Sequence, residues 1–185
     1  DANELHIKAD HYFRYKSFEM YHAAGVAVPV FSLRSEEGFG VGEFRDLKSL
    51  ADWTSKSNLS IIQILPINDT TANYSWTDSY PYAAISVYAL HPQYLSLDAL
   101  DFAIPKKLMK NFDKEKQSLN ELNAIDYEKM IAGKWNYINS IFAENEAKIL
   151  ADSGFKKFIK ENETWLLPYS AFCVQRDLYK TPDFS

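Results

Sequence analysis

Two short runs of apolar residues stand out in the first third of the chain. In the run GVAVPVFSL, we expect residues 26–31 to form a buried strand. Pro29 cannot donate a ladder hydrogen bond, so this strand should lie at a sheet edge or have Pro29 at its start. The run SIIQILPIN stops at Pro66, and its apolar residues predict a second buried strand over residues 61–65.

Between the two runs the apolar period lengthens from two residues to three or four. This spacing predicts an amphipathic helix over roughly residues 44–57. Its apolar face consists of Phe44, Leu47, Leu50, Ala51 and Trp53. Strand, helix and strand in this order predict a parallel β-α-β unit with a right-handed crossover. The fold class is therefore α/β.

The rest of the chain divides into a polar loop region and a helical region. Residues 69–92 are polar and rich in turn formers, and they follow a predicted strand, which is where parallel α/β proteins carry their binding residues. From about residue 104 glycine becomes rare and helical spacing dominates. We therefore expect a leading segment or linker at residues 1–24, the first β/α units at residues 25–103 and a helical subdomain at residues 104–185.

The helical region should contain two or three helices with no strand between them. Asp126 is a predicted N-cap. The apolar positions after it are Ile131, Trp135, Ile138 and Phe142. A second helical pattern after Trp165 consists of Leu167, Ala171, Val174 and Leu178.

Composition and charge exclude several classes of protein. The formal net charge is -5 and the basic residues are scattered, so no stripe is present to bind nucleic acid. Cys173 is the only cysteine, which excludes an internal disulfide and a cysteine metal cluster and fits a reducing cytoplasm. The four histidines show no metal-ligand spacing. No apolar run approaches the roughly 20 residues of a membrane helix.

Aromatic residues make up 15% of the chain, with 12 Tyr, 12 Phe and 4 Trp. Such rings either fill a core or bind sugar, because the C–H face of a pyranose packs on an aromatic plane. Composition leaves both interpretations open.

Three segments, read together, resemble one known family. They are GVAVPVFSLRSEEGFGVGEFRDLKSLADW, IIQILPINDT and WTDSYPYAAISVYALHPQYLSL. Their order and spacing are similar to the amylomaltase or disproportionating-enzyme family of 4-alpha-glucanotransferases, glycoside hydrolase family 77. Tyr80 is inserted relative to a simpler D-S-P-Y element, which looks like the cytosolic plant-type subgroup and its bacterial relatives. The segments AIDYEKMIAGKWNYI and ENETWLLPYSAFCVQRDLY resemble the family's helical insertion, so the resemblance covers about residues 20–182.

The resemblance implies a (β/α)8 TIM barrel, of which this chain holds the first two strands and the first helix, followed by the helical insertion. It also implies a retaining transfer of glucosyl or maltosyl units between α-1,4-glucans, without a cofactor. The family's nucleophile, acid/base and second aspartate belong to later strands, and none of those motifs occurs here. We therefore expect no catalytic residue in this chain and no transfer by it alone. Glu36 and Glu37, adjacent on a turn, are predicted to be solvated charges rather than the carboxylate pair of a retaining enzyme.

The resemblance also implies which residues bind the substrate, an α-1,4-glucan or maltose. The Tyr82 ring is predicted to stack under the sugar at the cleavage subsite, with Asp78 and Ser79 bonding sugar hydroxyls. Trp76 either extends this platform or packs in the core. Asp69 either binds a hydroxyl or forms an Asx turn.

Further expectations concern other chemistry and other classes of protein. His91 is predicted to be a structural turn residue rather than a base, and Ser79 has no histidine partner that would make it a nucleophile. A free-standing carbohydrate-binding module and a helical interaction domain are the alternatives. The first is disfavoured because such modules are mostly all-β, and the second leaves the D-S-Y-P-Y loop without a role. Because six barrel strands are absent, the strand edges are predicted to form a homodimer.

Overall fold

The computed structural model describes residues 22–183, so the predicted segment at residues 1–24 lies almost entirely outside the described residues. The strands are β1 (Gly25–Val28) and β2 (Ile61–Ile64), and the helices are α1 (Asp46–Lys56), α2 (Lys106–Asn120), α3 (Tyr127–Ala151) and α4 (Ser153–Tyr179). Short 3-10 turns lie at Val30–Ser32, Trp76–Ser79, Pro92–Tyr94 and Leu97–Ala99.

The predicted β-α-β unit is confirmed. β1 and β2 pair in parallel, from Gly25 opposite Ile61 to Val28 opposite Ile64, and α1 lies between them in the chain. β1 ends before Pro29, which instead precedes the 3-10 turn at Val30–Ser32. The predicted strand over residues 26–31 was therefore too long, because Pro29 has no N–H with which to continue the ladder.

The expectation that both strands are buried was wrong for the described chain. Along β1 and β2, exposed residues alternate with half-buried ones. Ile61 keeps 46% of its surface exposed. The apolar runs thus carry more hydrophobic surface than the described residues cover.

Between residues 104 and 183 the helical region contains three helices and no strand, as predicted. Asp126 caps α3, since its side chain accepts a hydrogen bond from the N–H of Lys129 at 3.1 Å. Asp152 alone separates α3 from α4 and caps α4 by accepting from the N–H of Phe155 at 2.7 Å. The predicted pattern after Trp165 lies within α4, but Leu167, Val174 and Leu178 on it are exposed.

The hydrophobic core lies between the loop after β1 and helices α2 and α3. It crosses the predicted boundary between residues 103 and 104, so both segments share one core. Phe39 stacks on Phe112 at 5.3 Å between ring centroids and meets the edge of Tyr137 at 5.9 Å. A Cβ at Gly133 would lie 2.9 Å from the Phe39 ring, so glycine lets α3 approach closely. The buried cluster consists of Phe39, Val41, Leu97, Ile104, Phe112, Leu119, Tyr127, Met130, Ile131, Tyr137 and Ile141.

The glycine turn FGVGEF belongs to this core. Gly40 has a φ of 75° and donates its N–H to Asn120 Oδ1 at 2.9 Å. A Cβ on Gly42 would lie 1.9 Å from the carbonyl oxygen of Val30. The two glycines are therefore required for a tight buried turn against α2.

A buried ion pair joins α3 to the same turn. Lys134 Nζ donates to Glu43 Oε1 at 2.6 Å, to the carbonyl of Gln93 at 2.5 Å and to the carbonyl of Leu95 at 2.8 Å. Both charged side chains are buried. This contact fixes the helices relative to the loops that follow β1 and β2.

Candidate functional site

The loop after β2, which carries every sequence-predicted binding residue, is closed at its base. The N–H of Asp69 donates to the carbonyl of Ala89 at 2.8 Å, and the N–H of Ile85 donates to the carbonyl of Asp69 at 2.8 Å. Asn68 and Leu90 form an antiparallel bridge. The chain therefore leaves and returns at the same place, and the residues between form a compact loop. We call residues 69–92 the substrate loop.

Asp78 holds the substrate loop together from inside. Its carboxylate is buried, and Oδ2 accepts three backbone N–H groups, from Ala72 at 3.0 Å, Asn73 at 2.9 Å and Tyr74 at 2.7 Å. The hydroxyl of Thr70 donates to the carbonyl of Asp78. A charged acceptor with three converging donors is among the stronger hydrogen-bond arrangements in proteins. The carboxylate thus fixes the backbone of the loop.

Asp69 also makes its bonds inside the protein. Oδ1 accepts from the N–H and the hydroxyl of Thr71, at 3.0 Å and 2.6 Å, which is the arrangement of an Asx turn. Oδ2 accepts from the Tyr169 hydroxyl at 2.6 Å, and Asp69 is 1% exposed. Burial, together with this bond to Asp69, raises the pKa of Tyr169. Both oxygens of Asp69 are therefore engaged within the fold.

Three aromatic residues of the loop point outward. Trp76 is 70% exposed, and Tyr80 and Tyr82 are each 60% exposed. The rings of Tyr80 and Tyr82 lie 5.5 Å apart between centroids. Ser79 is partly accessible, and its hydroxyl donates to the carbonyl of Trp76 at 2.6 Å. The loop thus presents large rings and one hydroxyl on a rigid support, an arrangement that can stack against the C–H face of a sugar.

A cleft of about 390 Å³ opens beside Trp76 and Ser79 and extends to the start of α3. Tyr127 and Glu128 of α3 also line it. Within this lining, the N–H of Trp76 donates to Glu128 Oε1 at 3.2 Å. Of the predicted binding residues, the cleft brings together Trp76 and Ser79. Tyr82 is not part of its lining.

His91 is a structural residue, as predicted. Its Nδ1 accepts from the N–H of Gln93 at 3.1 Å, and its Nε2 lies 3.1 Å from the Tyr127 hydroxyl. Burial lowers the pKa of His91 to about 4, although the carboxylates of Asp69 and Asp78 act in the opposite direction. The imidazole is therefore neutral at pH 7, and both of its nitrogens are engaged in holding the loop against α3.

The other acidic candidates lie on the surface. Glu37 is exposed and forms an ion pair with Arg45 at 3.1 Å, and Glu36 is exposed beside it. Within residues 22–183, no cluster of three or more His, Cys, Asp or Glu side chains is arranged to hold a metal ion. In the same range, no helix is long and apolar enough to cross a membrane.

Two residues that touch the substrate loop were missed by the sequence reasoning. Tyr169 of α4 reaches Asp69, and Arg176 of α4 reaches the carbonyl of Thr71 at 2.6 Å and the hydroxyl of Tyr74 at 2.7 Å. Their spacing of seven residues places both on one face of a helix, which was a usable signal. No local pattern indicated that this face meets a loop about 100 residues earlier.

Comparison with known proteins points to one family. The sequence profile of glycoside hydrolase family 77, described as 4-alpha-glucanotransferase, matches residues 28–185. The 4-alpha-glucanotransferase DPE2 of rice (Oryza sativa subsp. japonica) is 48% identical over 165 residues, which cover 89% of this chain and 17% of the rice protein. The 4-alpha-glucanotransferase of Chlamydia muridarum is 35% identical over 154 residues, or 83% of this chain and 28% of that protein.

A third relative, the 4-alpha-glucanotransferase of Clostridium butyricum, is 29% identical over 136 residues, or 72% of this chain and 26% of that protein. The chain thus spans less than a third of the length of each of these relatives. The profile match covers most of the chain and includes β2, the substrate loop and all four helices. The chain belongs to the 4-alpha-glucanotransferase family, glycoside hydrolase family 77.

Proposed function

We propose that this chain is an amino-terminal part of the catalytic domain of a 4-alpha-glucanotransferase that moves glucosyl or maltosyl units between α-1,4-glucans. The family match and the names of the rice and Chlamydia relatives support the activity. The parallel pair β1 and β2 with α1 between them is what the first units of a (β/α)8 barrel require. Helices α2 to α4 then form an insertion in that barrel.

Uncovered apolar surface is consistent with this assignment. Ile61 of β2 is exposed, as are Leu167, Val174 and Leu178 of α4. A remaining barrel that packs on these residues would bury them. Without that remaining barrel, β1 and β2 have free edges that can pair with a second copy. We propose that the chain alone forms a homodimer through these edges.

The observation that carries the proposed role is the set of exposed rings on a braced loop. A retaining transfer needs a nucleophile and an acid/base about 5 Å apart, and we assign these groups to a part of the enzyme outside this chain. This chain supplies binding. Tyr82 stacks under the reacting sugar, with Trp76 extending the platform. Tyr82 acts most strongly on the flattened, positively charged transition state, so it raises the chemical rate rather than affinity alone.

The polar residues of the loop divide into two roles under this proposal. The Ser79 hydroxyl is the group that bonds a sugar hydroxyl, because it lies beside the cleft. Asp78 and Asp69, predicted from the sequence to meet sugar hydroxyls, act by bracing the loop, because their carboxylates already accept hydrogen bonds inside the protein. We place the enzyme in the cytoplasm, which suits the unpaired thiol of Cys173.

Transfer of glucosyl units from maltose to glycogen tests this proposal. The full-length protein containing this chain should release glucose from maltose and extend glycogen. The chain of residues 1–185 alone should do neither, because it has no groups to form or break the covalent glycosyl intermediate. Transfer by the rigorously purified chain, or none by the full-length protein, would contradict the assignment.

A further inference from the structure

Helix α4 meets the substrate loop through one ring contact, Trp165 stacked on Tyr88 at 5.4 Å between centroids, and through two polar side chains. Arg176 is its one buried residue, although α4 is 27 residues long. Its guanidinium is aimed at the loop, and the Tyr169 hydroxyl, seven residues earlier, is aimed at the base of the same loop. We propose that Tyr169 and Arg176 are positioning residues, which hold the substrate loop in the shape that presents its aromatic rings. The effect on sugar transfer rests on the function proposed above.

Tyr169 acts where the loop begins. Its hydroxyl donates to Asp69 Oδ2 at 2.6 Å, and Asp69 joins the outgoing and returning segments through its own backbone bonds to Ile85 and Ala89. Asp69 is buried, so its Oδ2 depends on this donor rather than on bulk water. Removal of this hydroxyl leaves one carboxylate oxygen without its donor at the point where the loop is closed.

Arg176 acts within the loop. Nη1 donates to the carbonyl of Thr71 at 2.6 Å, and Nη2 donates to the hydroxyl of Tyr74 at 2.7 Å. The guanidinium carbon also lies 5.0 Å from the centroid of the Tyr74 ring. Two donors in a rigid fork and a ring contact fix both position and orientation, which a lysine cannot reproduce.

The backbone conformation of Tyr74 requires contacts from outside the loop. Its φ is 57°, in the left-handed region that a bulky residue rarely adopts. Such a conformation persists where surrounding contacts enforce it. Here the Tyr74 hydroxyl accepts from Arg176 and donates to Asp177 Oδ1 at 2.9 Å, and the ring meets Trp135 edge-on at 6.5 Å.

Tyr74 is linked through its backbone N–H to the part of the loop that carries the proposed sugar-binding residues. Its N–H is one of the three that converge on Asp78 Oδ2, at 2.7 Å. Asp78 lies in the 3-10 turn Trp76–Ser79, and Tyr82 follows four residues later. A shift at Arg176 therefore moves Tyr74, the Asp78 carboxylate and then the exposed rings.

Amide hydrogen exchange in the full-length protein tests the support itself, whatever the protein's activity. In Arg176→Gln, amides of residues 72–74 should lose protection by about tenfold or more, because their local opening no longer breaks the bonds to α4. Amides in the middle of α3 should be unchanged. Tyr137→Phe is the control for a hydrogen bond lost elsewhere, since it deletes a hydroxyl that donates to Glu115 Oε2 at 2.9 Å in the core rather than in the loop.

Maltose-to-glycogen kinetics test the consequence for sugar transfer. Tyr169→Phe and Arg176→Gln should each lower kcat/KM by about tenfold or more, since displacements of about 1 Å in a site have effects up to a hundredfold. Arg176→Lys should recover part of the loss, and Tyr137→Phe should leave kcat/KM unchanged. Combined with Tyr82→Ala, the effect of Arg176→Gln should be strongly non-additive, because both act through the same ring.

The two assays separate the possible failures. Unchanged exchange at residues 72–74 in Arg176→Gln, or an equal loss of protection throughout α3, overturns the positioning role. Additive effects of Arg176→Gln and Tyr82→Ala also overturn it. A wild-type protein that transfers no glucosyl units rejects the proposed function instead, and the exchange comparison still decides whether α4 supports the loop.

Discussion

Lys134→Met removes the ammonium group that ties α3 to the loops after β1 and β2. The Lys134 side chain is fully buried, and Nζ makes its three bonds to Glu43, Gln93 and Leu95 at 2.5 to 2.8 Å. Burial lowers the pKa of Lys134 to about 8, and the Glu43 carboxylate opposes this shift, so the group is charged at pH 7. Methionine keeps most of the length and volume and deletes all three bonds.

The expected loss of unfolding free energy depends on the partners that Glu43 keeps. Its carboxylate stays buried and keeps the N–H of Phe39 at 3.1 Å and Arg45 Nε at 3.7 Å. Removal of one partner from a buried pair costs about 3 to 5 kcal/mol. The contacts that remain favour the lower end, about 3 kcal/mol. With an m-value of about 2 kcal/mol/M, the urea midpoint should fall by about 1.5 M.

Urea unfolding followed by circular dichroism measures this shift. Lys148→Met is the matched control, because Lys148 lies on the same helix and is exposed, and its midpoint should stay close to that of the wild type. Adding Glu43→Gln to Lys134→Met removes the uncompensated charge and should restore part of the stability. If the urea midpoint falls no further in Lys134→Met than in Lys148→Met, the buried-pair argument is refuted.

Two further predictions concern pH and self-association. The pKa of His91 is about 4 in the folded chain and near 6.5 unfolded, so its contribution to stability is complete above pH 6.5 and is lost as the pH falls toward 4. Over that range the loss should be about 3 kcal/mol. Urea titrations at several pH values should therefore show a smaller loss of stability below pH 6.5 in His91→Gln than in the wild type. Equal losses in the two proteins would argue against this contribution. Sedimentation of residues 1–185 should show a dimer, and Ile61→Lys should shift it toward monomer; a monomeric wild-type chain would count against pairing through the strand edges.

Features encoded by local spacing could be predicted from the sequence. The change of apolar period around residues 44–57 located α1 within two residues at each end. Asp126 was identified as a cap because the capping signal depends only on the residues that follow it. The β-α-β order then gave the parallel pairing of β1 and β2, since such crossovers join parallel strands.

Features that depend on distant contacts could not be predicted. Lys134 lies on the apolar face of α3, although a lysine would normally be assigned to the surface. Its partner Glu43 lies 91 residues earlier. Arg176 and Thr71 are 105 residues apart. The carboxylate of Asp78 was expected to face a sugar, but the backbone of Ala72 to Tyr74 folds around it. Polar residues with buried partners are thus where sequence patterns mislead, because their exposure depends on the tertiary fold.

Tyr82→Ala in the full-length protein tests the central claim, that the exposed ring of the substrate loop acts on the sugar. Tyr82 is 60% exposed, so its truncation should leave the melting temperature nearly unchanged. Loss of transition-state stacking should cost on the order of 2 to 3 kcal/mol, which lowers turnover about a hundredfold. Tyr179→Ala, at a tyrosine 67% exposed at the end of α4, is the control and should keep normal turnover. Thermal melts and maltose-to-glycogen kinetics on both variants decide the matter: a hundredfold loss of turnover with an unchanged melt is the predicted result, and normal turnover per folded Tyr82→Ala molecule would contradict the account.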